Sequence, residues 1–566
     1  MQPDSYAEKI AQALKAAKTL YRVGRIDDAR RACALILQLE PWHPEATQRL
    51  ALIARQQGRM DEAVGLLSEL ISRHPNNIAA IRTLSAIWRE AGQPERSEAL
   101  LDGVMPALPE DAALLADKAQ CRIDRQDVAG AIPLLQRAVA LAPDYADAHT
   151  LLGVALRRNG DKAAATIAFG AALALNPQDA NALNGLGNDC LEKERFAEAV
   201  AYYRRAIAAR PKFLKAHKNL AYTLNLDNDI DGARAAFARL FELAPDFHEG
   251  HMDYGLFLLS LGDYVEGWRE YEHRWSFAGF TEPDWGGGLP RWDGAPLAGR
   301  RLLLWGEQGV GDHVLYGTML PDAAQRANGR VTLMVEARLV PLFARSLADA
   351  GVAVVARGEK VEADVQCPLG SLGAWLRHAP QECGSGHYLK ADGHRVEEIR
   401  QRYRAQWPTA KQCIGLSWRS ANWHVGDYKS LDLESLLPVL RKPGIAWVSL
   451  QYGRVQAEIE AFARRHGIEV YQDPEIDPTN DLDGLAAQIA ALDGVASISN
   501  STVHFAGALG KPCWVMLSAG RGRMWYWPRE GERTPWYDSI RLLRQARPGD
   551  WSGVMDRLSE ALDAAF

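Results

Sequence analysis

Up to about residue 275 the apolar positions of this chain follow helical spacing alone. The segment YVEGWREYEHRW (264–275) closes that region and sets Trp268, Tyr271 and Trp275 three and four residues apart, on one helix face. A large aromatic face at the end of a helical stack needs a cover, and the domain that follows is the expected one. TEPDWGGGLPRWDGAPLAG (281–299) is dense in glycine and proline and reads as a linker. From residue 300 the pattern changes to short apolar runs with amphipathic helices between most of them. RRLLLW (300–305), RVTLMVE (330–336), VAVVA (352–356), CIGLSW (413–418), IAWVSLQY (445–452), GVASISN (494–500) and CWVML (513–517) are predicted strands. Such alternation predicts an α/β domain with parallel sheets. Residues 300–390 and 413–520 each hold enough units for one Rossmann-like lobe, joined across 394–411, and two facing lobes make a cleft. The expected division is a helical array over 1–275, a linker over 276–299, and lobes over 300–410 and 411–566.

The helical half is periodic. Prolines stand at 41, 75, 109, 143, 177, 211 and 245, each 34 residues from the next. Twelve residues before each stands Ala29, Ala63, Ser97, Ala131, Ala165, Ala199 or Ala233, where a small side chain lets two helices approach closely. Five residues earlier come Gly24, Gly58, Gly92, Gln126, Gly160, Glu194 and Asn228, at the turn between helices; Gly262 and Gly267 keep the phase for an eighth hairpin. A helical hairpin of about 34 residues is the tetratricopeptide period. Stacked hairpins curl into an α-solenoid with a concave groove, a docking surface for a protein, with a spacer or self-association scaffold as the alternative. The eighth position after each proline, which faces the groove in this repeat type, reads Arg49, Thr83, Asp117, Leu151, Gly185, Asn219 and Asp253. Only Asn219 fits an asparagine ladder, so a sequence-blind grip on a peptide backbone is not expected.

Composition narrows the partners. With 65 basic against 71 acidic residues in 566, a general polyanion binder is not expected. The seven scattered cysteines form no CxxC pair, which points to a reducing compartment without a disulfide framework or zinc knuckle. The start MQPDSYAEKIAQALK carries charges where a signal peptide needs an apolar core, and no apolar run reaches the roughly 18 residues of a membrane span. The cytoplasm is the expected compartment.

Chemistry gathers at two strand-to-helix turns. The first strand runs into Gly306, Glu307, Gln308, Gly309, Val310, Gly311, Asp312 and His313, then an apolar helix. Glycines at such a turn let a ligand approach the backbone and its free amides. The spacing differs from the dinucleotide fingerprint, although Glu336 mimics its ribose-binding acid. Asp312 reads as an N-cap or as a chemical group, with His313 and Glu307 as alternative bases. In the second lobe Ser499, Asn500, Ser501, Thr502 and His504 join a strand to the helix AGALG (506–510), which suits a phosphate or simply caps the helix. Ser417, Trp418 and Arg419 end another strand, Gln451 ends the next, and Lys429 follows on a loop, so Lys429 and Arg419 can address the same phosphate. Asp481 and Asp483 imitate a metal-binding DxD but precede a helix, where capping explains them. Arg521 to Arg547 interleaves arginines with Trp525, Tyr526, Trp527, Trp536 and Tyr537. It reads as a packed tail returning to the first lobe, or as an aromatic wall for a nucleotide or sugar; nucleic acid is not expected.

GDHVLYGTMLP (311–321) and SNSTVHFAGALGKPCWVML (499–517) resemble motifs of bacterial heptosyltransferases. PRWDGAPLAGRRLLLWGEQGVGD (290–312) and TPWYDSIRLLRQ (534–545) are similar to tetratricopeptide-fused bacterial glycosyltransferases, including flagellin glycosyltransferases. The resemblance implies a GT-B fold, an inverting mechanism without metal or other cofactor, and a nucleotide-sugar donor in the C-terminal lobe. It implies Asp312 as general base, with Ser417, Trp418, Arg419, Lys429, Gln451, Asn500, Ser501, Thr502 and His504 around the donor. Glu307, Gln308, Gly309, Gly311 and His313 form the acceptor-side turn. Heptosyltransferases usually carry Asp-Thr-Gly where this chain has Ser499, Asn500 and Ser501, which points to a different sugar. The acceptor implied is a Ser or Thr hydroxyl of a protein in the repeat groove, flagellin first, with a CMP-activated nonulosonic acid as the matching donor. A non-catalytic adaptor that senses a nucleotide sugar, and a transferase acting on a glycan or lipid, are the competing readings.

Overall fold

The computed structural model describes residues 3–422 and 424–565; Met1 and Gln2 of the predicted array, Trp423 and Phe566 lie outside the described residues. The chain forms two compact units, Met1–Leu220 and Ala221–Phe566.

The first unit is a tetratricopeptide solenoid. Its hairpins pair Pro3–Arg22 with Ile26–Leu39, Pro44–Gln56 with Met60–Arg73, Ile78–Glu90 with Pro94–Val104, Ala112–Asp124 with Val128–Leu141, Ala146–Arg158 with Lys162–Leu175, and Ala180–Glu192 with Phe196–Ala209. The turn positions at 24, 58, 92, 126, 160 and 194 all have positive φ, from +55° at Glu194 to +91° at Gly160, as do Asn228 and Gly262 further on. Each ends a helix with the left-handed residue that lets the last carbonyls be capped. At Gly58 its own N–H bonds Arg55 O and the following Arg59 N–H bonds Ala54 O. The small positions Ala29, Ala63, Ser97, Ala131, Ala165 and Ala199 are buried in this unit. Ser97 is tolerated because its hydroxyl bonds Ser85 Oγ at 2.6 Å and accepts from Cys121 Sγ at 3.0 Å. The helix before Pro109 stops early, at Val104, because Pro106 cannot continue it.

Along the first helices of successive hairpins, polar side chains 35 residues apart join in pairs. Arg82 bonds Asp117 and Arg89 bonds Asp124, each at 2.6 Å, Gln48 bonds Thr83 at 3.1 Å, and Arg55–Glu90 and Arg157–Glu192 are ion pairs. Asn219 Nδ2 donates to Asn184 and Asn188 of the preceding hairpin at 3.1 and 3.0 Å. Asn219 is thus part of a local amide cluster rather than one rung of a ladder.

The second unit holds the helices Ile230–Leu243, His248–Ser260 and Tyr264–Tyr271, then two sheets. β1 (Arg301–Trp305), β2 (Arg330–Val335), β3 (Val352–Ala356) and β4 (Val365–Pro368) make a parallel sheet in the order β3-β2-β1-β4. β5 (Gln412–Ser417), β6 (Ile445–Ser449), β7 (Val470–Tyr471), β8 (Gly494–Ile498), β9 (Cys513–Leu517) and β10 (Ile540–Arg544) make another, in the order β10-β9-β8-β5-β6-β7. The seven predicted strands are present; β4, β7 and β10 are additional. Each added strand is short, proline-ended or arginine-rich, which hides it from an apolar-run criterion. The arginine-rich tail therefore returns to the second sheet, as β10 beside β9, rather than to the first. The helix Gly393–Gln406 packs on the second sheet's side too: Tyr403 Oη donates to Asp473 at 2.8 Å and accepts from Gln488 Nε2 at 2.8 Å.

Trp268 and Tyr271 are buried, and Trp268 meets Tyr316 and Trp525 edge-on. The glycine-rich stretch after 281 carries buried Trp292 and Leu297, and its Trp292 N–H bonds Gln366 O at 2.8 Å on β4. Arg274, in the 3-10 turn Glu272–Ser276, and Glu307, just past β1, are both wholly buried and joined by two bonds of 2.8 and 3.0 Å. Removing one partner of such a pair leaves an uncompensated buried charge, a cost of about 3–5 kcal/mol. Arg274→Met is therefore expected to destabilise the second unit by that amount, and Arg274→Met/Glu307→Leu to recover most of it, read by thermal unfolding. In the first unit Gly160→Ala is expected to cost about 1 kcal/mol, because space around the added methyl is open and only the left-handed backbone resists. Hydrogen exchange in Ala146–Arg158 and Lys162–Leu175 should quicken severalfold.

Candidate functional site

In an open parallel sheet, a crevice forms outside the strand ends where successive connections leave in opposite directions. In the first sheet that point lies between β1 and β4, and the turn 306–312 leaves β1 there. In the second it lies between β5 and β8, whose ends carry Ser417–Arg419 and Ser499–Asn500. Both candidate segments thus sit at the switch points of their sheets.

The first turn divides its polar residues sharply. Glu307 accepts two bonds from Arg274 and one from Gly370 N–H at 2.7 Å, so it is an anchor. His313 is wholly buried, accepts from Arg357 Nη2 at 3.0 Å, and is pushed down to about 3 by burial and the nearby Arg357 and Arg338. Both alternative bases are thus engaged by arginines. Gln308, at φ +61°, donates its side chain to Tyr271 Oη at 2.7 Å and its backbone to Glu282 at 2.9 Å. Gly309 is the N-cap of the helix Val310–Gly317, and Asp312 is its third residue, reaching back to accept Gly309 N–H at 3.1 Å. Asp312 is half-buried, and among the described residues its other oxygen has no hydrogen-bond donor. Desolvation in these crowded surroundings, with Glu307 close by, raises its carboxyl to about 6.

At the second switch point the side chains knit together. Asn500 caps the helix Ser501–Ala508 through Thr502 N–H at 3.1 Å and donates to Ser417 Oγ at 2.7 Å and Arg419 O at 3.2 Å. Gln451 Oε1 accepts from Trp418 N–H at 2.8 Å and Arg419 N–H at 2.7 Å, while its Nε2 donates to Arg419 O and Tyr452 O. Gln451 thus shapes the turn after β5. Trp418 does not face the crevice: Ile414, Leu416 and Trp418 alternate onto the core side of the strand, and Ser417 points the other way. Arg419 is half exposed and pairs with Glu458 at 3.0 Å, which leaves Lys429 as the buried cation here. Among the described residues the buried Thr502 Oγ1 has no hydrogen-bond partner.

The two turns approach closely. A methyl built on Gly311 would lie 3.3 Å from His504 Cδ2 and 3.4 Å from Ser501 Cα, so only glycine fits at that point without displacement. Lys429, its ammonium 4.0 Å from Met524 Sδ, is lowered to about 8 by burial, opposed by the Asp312 charge. His504 is pushed down to about 3 by burial and by Lys429, stays neutral, and bonds Tyr537 Oη at 3.2 Å. Its ring stacks on Trp527 at 5.6 Å, and Trp527 Nε1 donates to Ser499 Oγ at 2.8 Å. The tail aromatics are thus both packed and part of the crevice wall. The sequence singled out this aromatic run but not Arg274, which no local pattern marks. Asp481 caps the helix Leu482–Ala491 through Gly484 N–H at 2.8 Å and pairs with Arg395, while Asp483 pairs with Arg345. Among the described residues no helix is long and apolar enough to cross a membrane.

Comparison with known proteins agrees with the repeat half. Tetratricopeptide-repeat family models match residues 20–87, 54–121 and 191–264, and residues 116–169 and 150–212. Among solved structures the chain is similar to that of the APC/C hetero-tetramer Cut9-Hcn1, at 16% identity and a TM-score of 0.40, covering 47% of this chain and 53% of that one. It is also similar to a tetratricopeptide repeat protein from Parabacteroides merdae, at 15% identity and a TM-score of 0.35, covering 42% of this chain and 94% of that one. Protein FlbA of Caulobacter vibrioides is 32% identical over 443 residues, 74% of this chain and 73% of the relative, a span too long for the repeats alone. The chain belongs to the family of Protein FlbA, built on tetratricopeptide repeats.

Proposed function

We propose that the second unit is an inverting glycosyltransferase of the GT-B class. It would move a sugar from a nucleotide sugar to a Ser or Thr hydroxyl of a protein docked by the repeats, with flagellin the first acceptor to test. The observation that carries this reading is the close approach of the turn bearing Asp312, at Gly311, to the N-terminus of the Ser501–Ala508 helix of the second sheet, with the charges of Asp312 and Lys429 acting on each other there. The second sheet's order has the 3-2-1-4-5-6 pattern of Rossmann sheets, which supports a nucleotide in its crevice. The acceptor hydroxyl attacks the anomeric carbon, its proton passes to Asp312, and the bond to the nucleotide phosphate breaks. A carboxylate of pKa about 6 is matched to that task near neutrality. The charge developing on the departing phosphate is offset by Lys429 and by the positive end of the Ser501–Ala508 helix. Asp481 and Asp483 are held by arginines and are given no part in the step.

Transfer should follow a bell-shaped pH profile, rising through about 6 as Asp312 ionises and falling above about 8 as Lys429 loses its proton. Asp312→Asn keeps the size and the bond to Gly309 N–H but cannot take a proton. Transfer is expected to fall by roughly 10²–10⁴-fold with donor and acceptor binding near wild type. A folded variant retaining a third of wild-type transfer defeats the assignment.

The same raised pKa has a stability signature. A carboxyl raised in the folded state contributes favourably below the unfolded pKa, and that contribution is lost as pH rises through the folded value. Wild-type Asp312 therefore costs stability above about pH 6, so Asp312→Asn should unfold later than wild type at pH 8, by about 1–3 kcal/mol, and equally at pH 4. Lys429→Met, which keeps the packing, should weaken donor use about 10- to 100-fold, in line with about 1–3 kcal/mol for a charge-assisted contact to phosphate. Steady-state kinetics with varied donor reads this directly. Unchanged donor kinetics would remove Lys429 from the site.

A further inference from the structure

The last hairpin carries four metal-ligand side chains that have no part in the transfer reaction proposed above. His248 and His251 stand three apart on the helix His248–Ser260. Glu270 and His273 stand three apart across the end of Tyr264–Tyr271 and its 3-10 extension. This spacing puts each pair on one face, and the faces meet. His251 Nδ1 lies 2.5 Å from Glu270 Oε2, and His248 Nδ1 lies 2.9 Å from His273 Nδ1. Ligand atoms of His251, Glu270 and His273 all lie within 4.8 Å of one another.

The tautomer of His251 follows from its other nitrogen. Nε2 sits 2.7 Å from Pro245 O, which can only accept, so Nε2 carries the hydrogen. His149 and His217 make the same bond, to Pro143 O and Pro211 O, each at 3.0 Å, so this contact belongs to the repeat. The carboxylate facing the free nitrogen is particular to the last hairpin. A lone pair on Nδ1 and a carboxylate oxygen at 2.5 Å are two acceptors, and they require a cation between them, either a proton or a metal ion. The two Nδ1 atoms of His248 and His273 likewise share at most one proton. A backbone carbonyl on the far nitrogen is also the partner that holds metal-bound histidines in orientation. Phe241 stacks on the His251 ring at 4.0 Å, and Arg269 holds Glu270 Oε1 at 3.2 Å.

We propose that His251, Glu270 and His273, with His248 as fourth donor, bind one divalent transition ion of the zinc class, which suits imidazole and carboxylate ligands in four-coordination. The His251 and His273 rings stack at 4.2 Å, so binding turns the His273 ring out of the stack to bring its nitrogen to the common ion. His273 immediately precedes Arg274, and the ion fixes the turn that delivers Arg274 to Glu307. The site is structural and goes beyond the transfer reaction proposed above.

The test uses the full-length protein, freed of metal by chelation and dialysis. Zn²⁺ is titrated in competition with a chromophoric chelator, and Co²⁺ is followed by visible absorption. One ion per chain with a Kd of about 1 μM or below is expected, with the strong visible bands of a four-coordinate cobalt site. Glu270→Gln, which keeps the shape, and His251→Ala/His273→Ala should each weaken binding at least about tenfold, with folding checked by circular dichroism. His149→Ala, which removes only the repeat's carbonyl contact, should bind as wild type does. No ion bound by the wild type, or wild-type affinity in a folded Glu270→Gln protein, overturns the proposal and leaves a proton as the shared cation. Equal loss in His149→Ala places the ion elsewhere and overturns it as well.

Discussion

Every N–H of Arg274 is spent inside the protein. Its guanidinium bonds both oxygens of Glu307, Ser371 Oγ at 2.9 Å, Tyr271 O at 3.2 Å and Glu272 at 2.7 Å, and lies 4.2 and 4.7 Å from the Tyr271 and Trp275 rings. A buried ion pair offsets its desolvation only when geometry is good and the remaining donors are satisfied. Both conditions hold here. The end of the last hairpin, the turn after β1 and the 3-10 turn after β4 are thereby tied at one point. The backbone from Gly306 to Asp312 takes its course from that tie, since Gln308 is also held by Tyr271.

The same arrangement separates two carboxylates five residues apart. Glu307 has a guanidinium and an amide; Asp312 has one amide and a neighbouring negative charge. Their environments set them apart, one fixed by an ion pair and the other raised by burial, without any difference in side-chain chemistry. Cations divide the same way on the second sheet. Arg419 is half exposed against Glu458, while Lys429 is buried, with the Asp312 charge opposing its desolvation. Residue type nominates a group, and the neighbours decide how it is held.

That division explains what the sequence could convey. The repeat was legible because its signals are local: a proline every 34 residues, a left-handed turn residue, a small residue at the helix contact. Even Gln126, Glu194 and Asn228 were identifiable by phase, and each adopts the positive φ that glycine supplies elsewhere. Strand-to-helix turns were legible for the same reason. Partners distant in sequence were not. Arg274 stands 33 residues before Glu307 and 97 before Ser371, and YEHRW gives no sign of either. Trp418 was misplaced by adjacency, since a strand sends neighbours to opposite faces. β10 was hidden because arginines on IRLLR mask the apolar residues between them.

Those arginines show how composition misleads when partners are unseen. A run rich in Arg and aromatic residues resembles a nucleic-acid surface, yet its cations are already engaged. Arg523 donates to Asn225 O and Leu226 O at 2.8 and 3.1 Å, and Arg529 to Asn225 O at 3.3 Å and Ser260 Oγ. Asn225 and Leu226 end the helix Leu214–Leu226, where the carbonyls with lone pairs to spare and the negative end of the helix dipole favour a cation. Burial and mutual repulsion lower Arg529 to about 10, the mark of a guanidinium held by carbonyls rather than by a carboxylate. Arg544 likewise bonds Gly531 O and Pro528 O. The consequence is mechanical. Between Arg523 and Arg529 lie Trp525, Tyr526 and Trp527, so the bonds to Asn225, Leu226 and Ser260, all within the second unit, hold both ends of the segment that stacks on His504. The wall of the crevice is therefore anchored at both ends, just as the turn bearing Asp312 is anchored by Arg274.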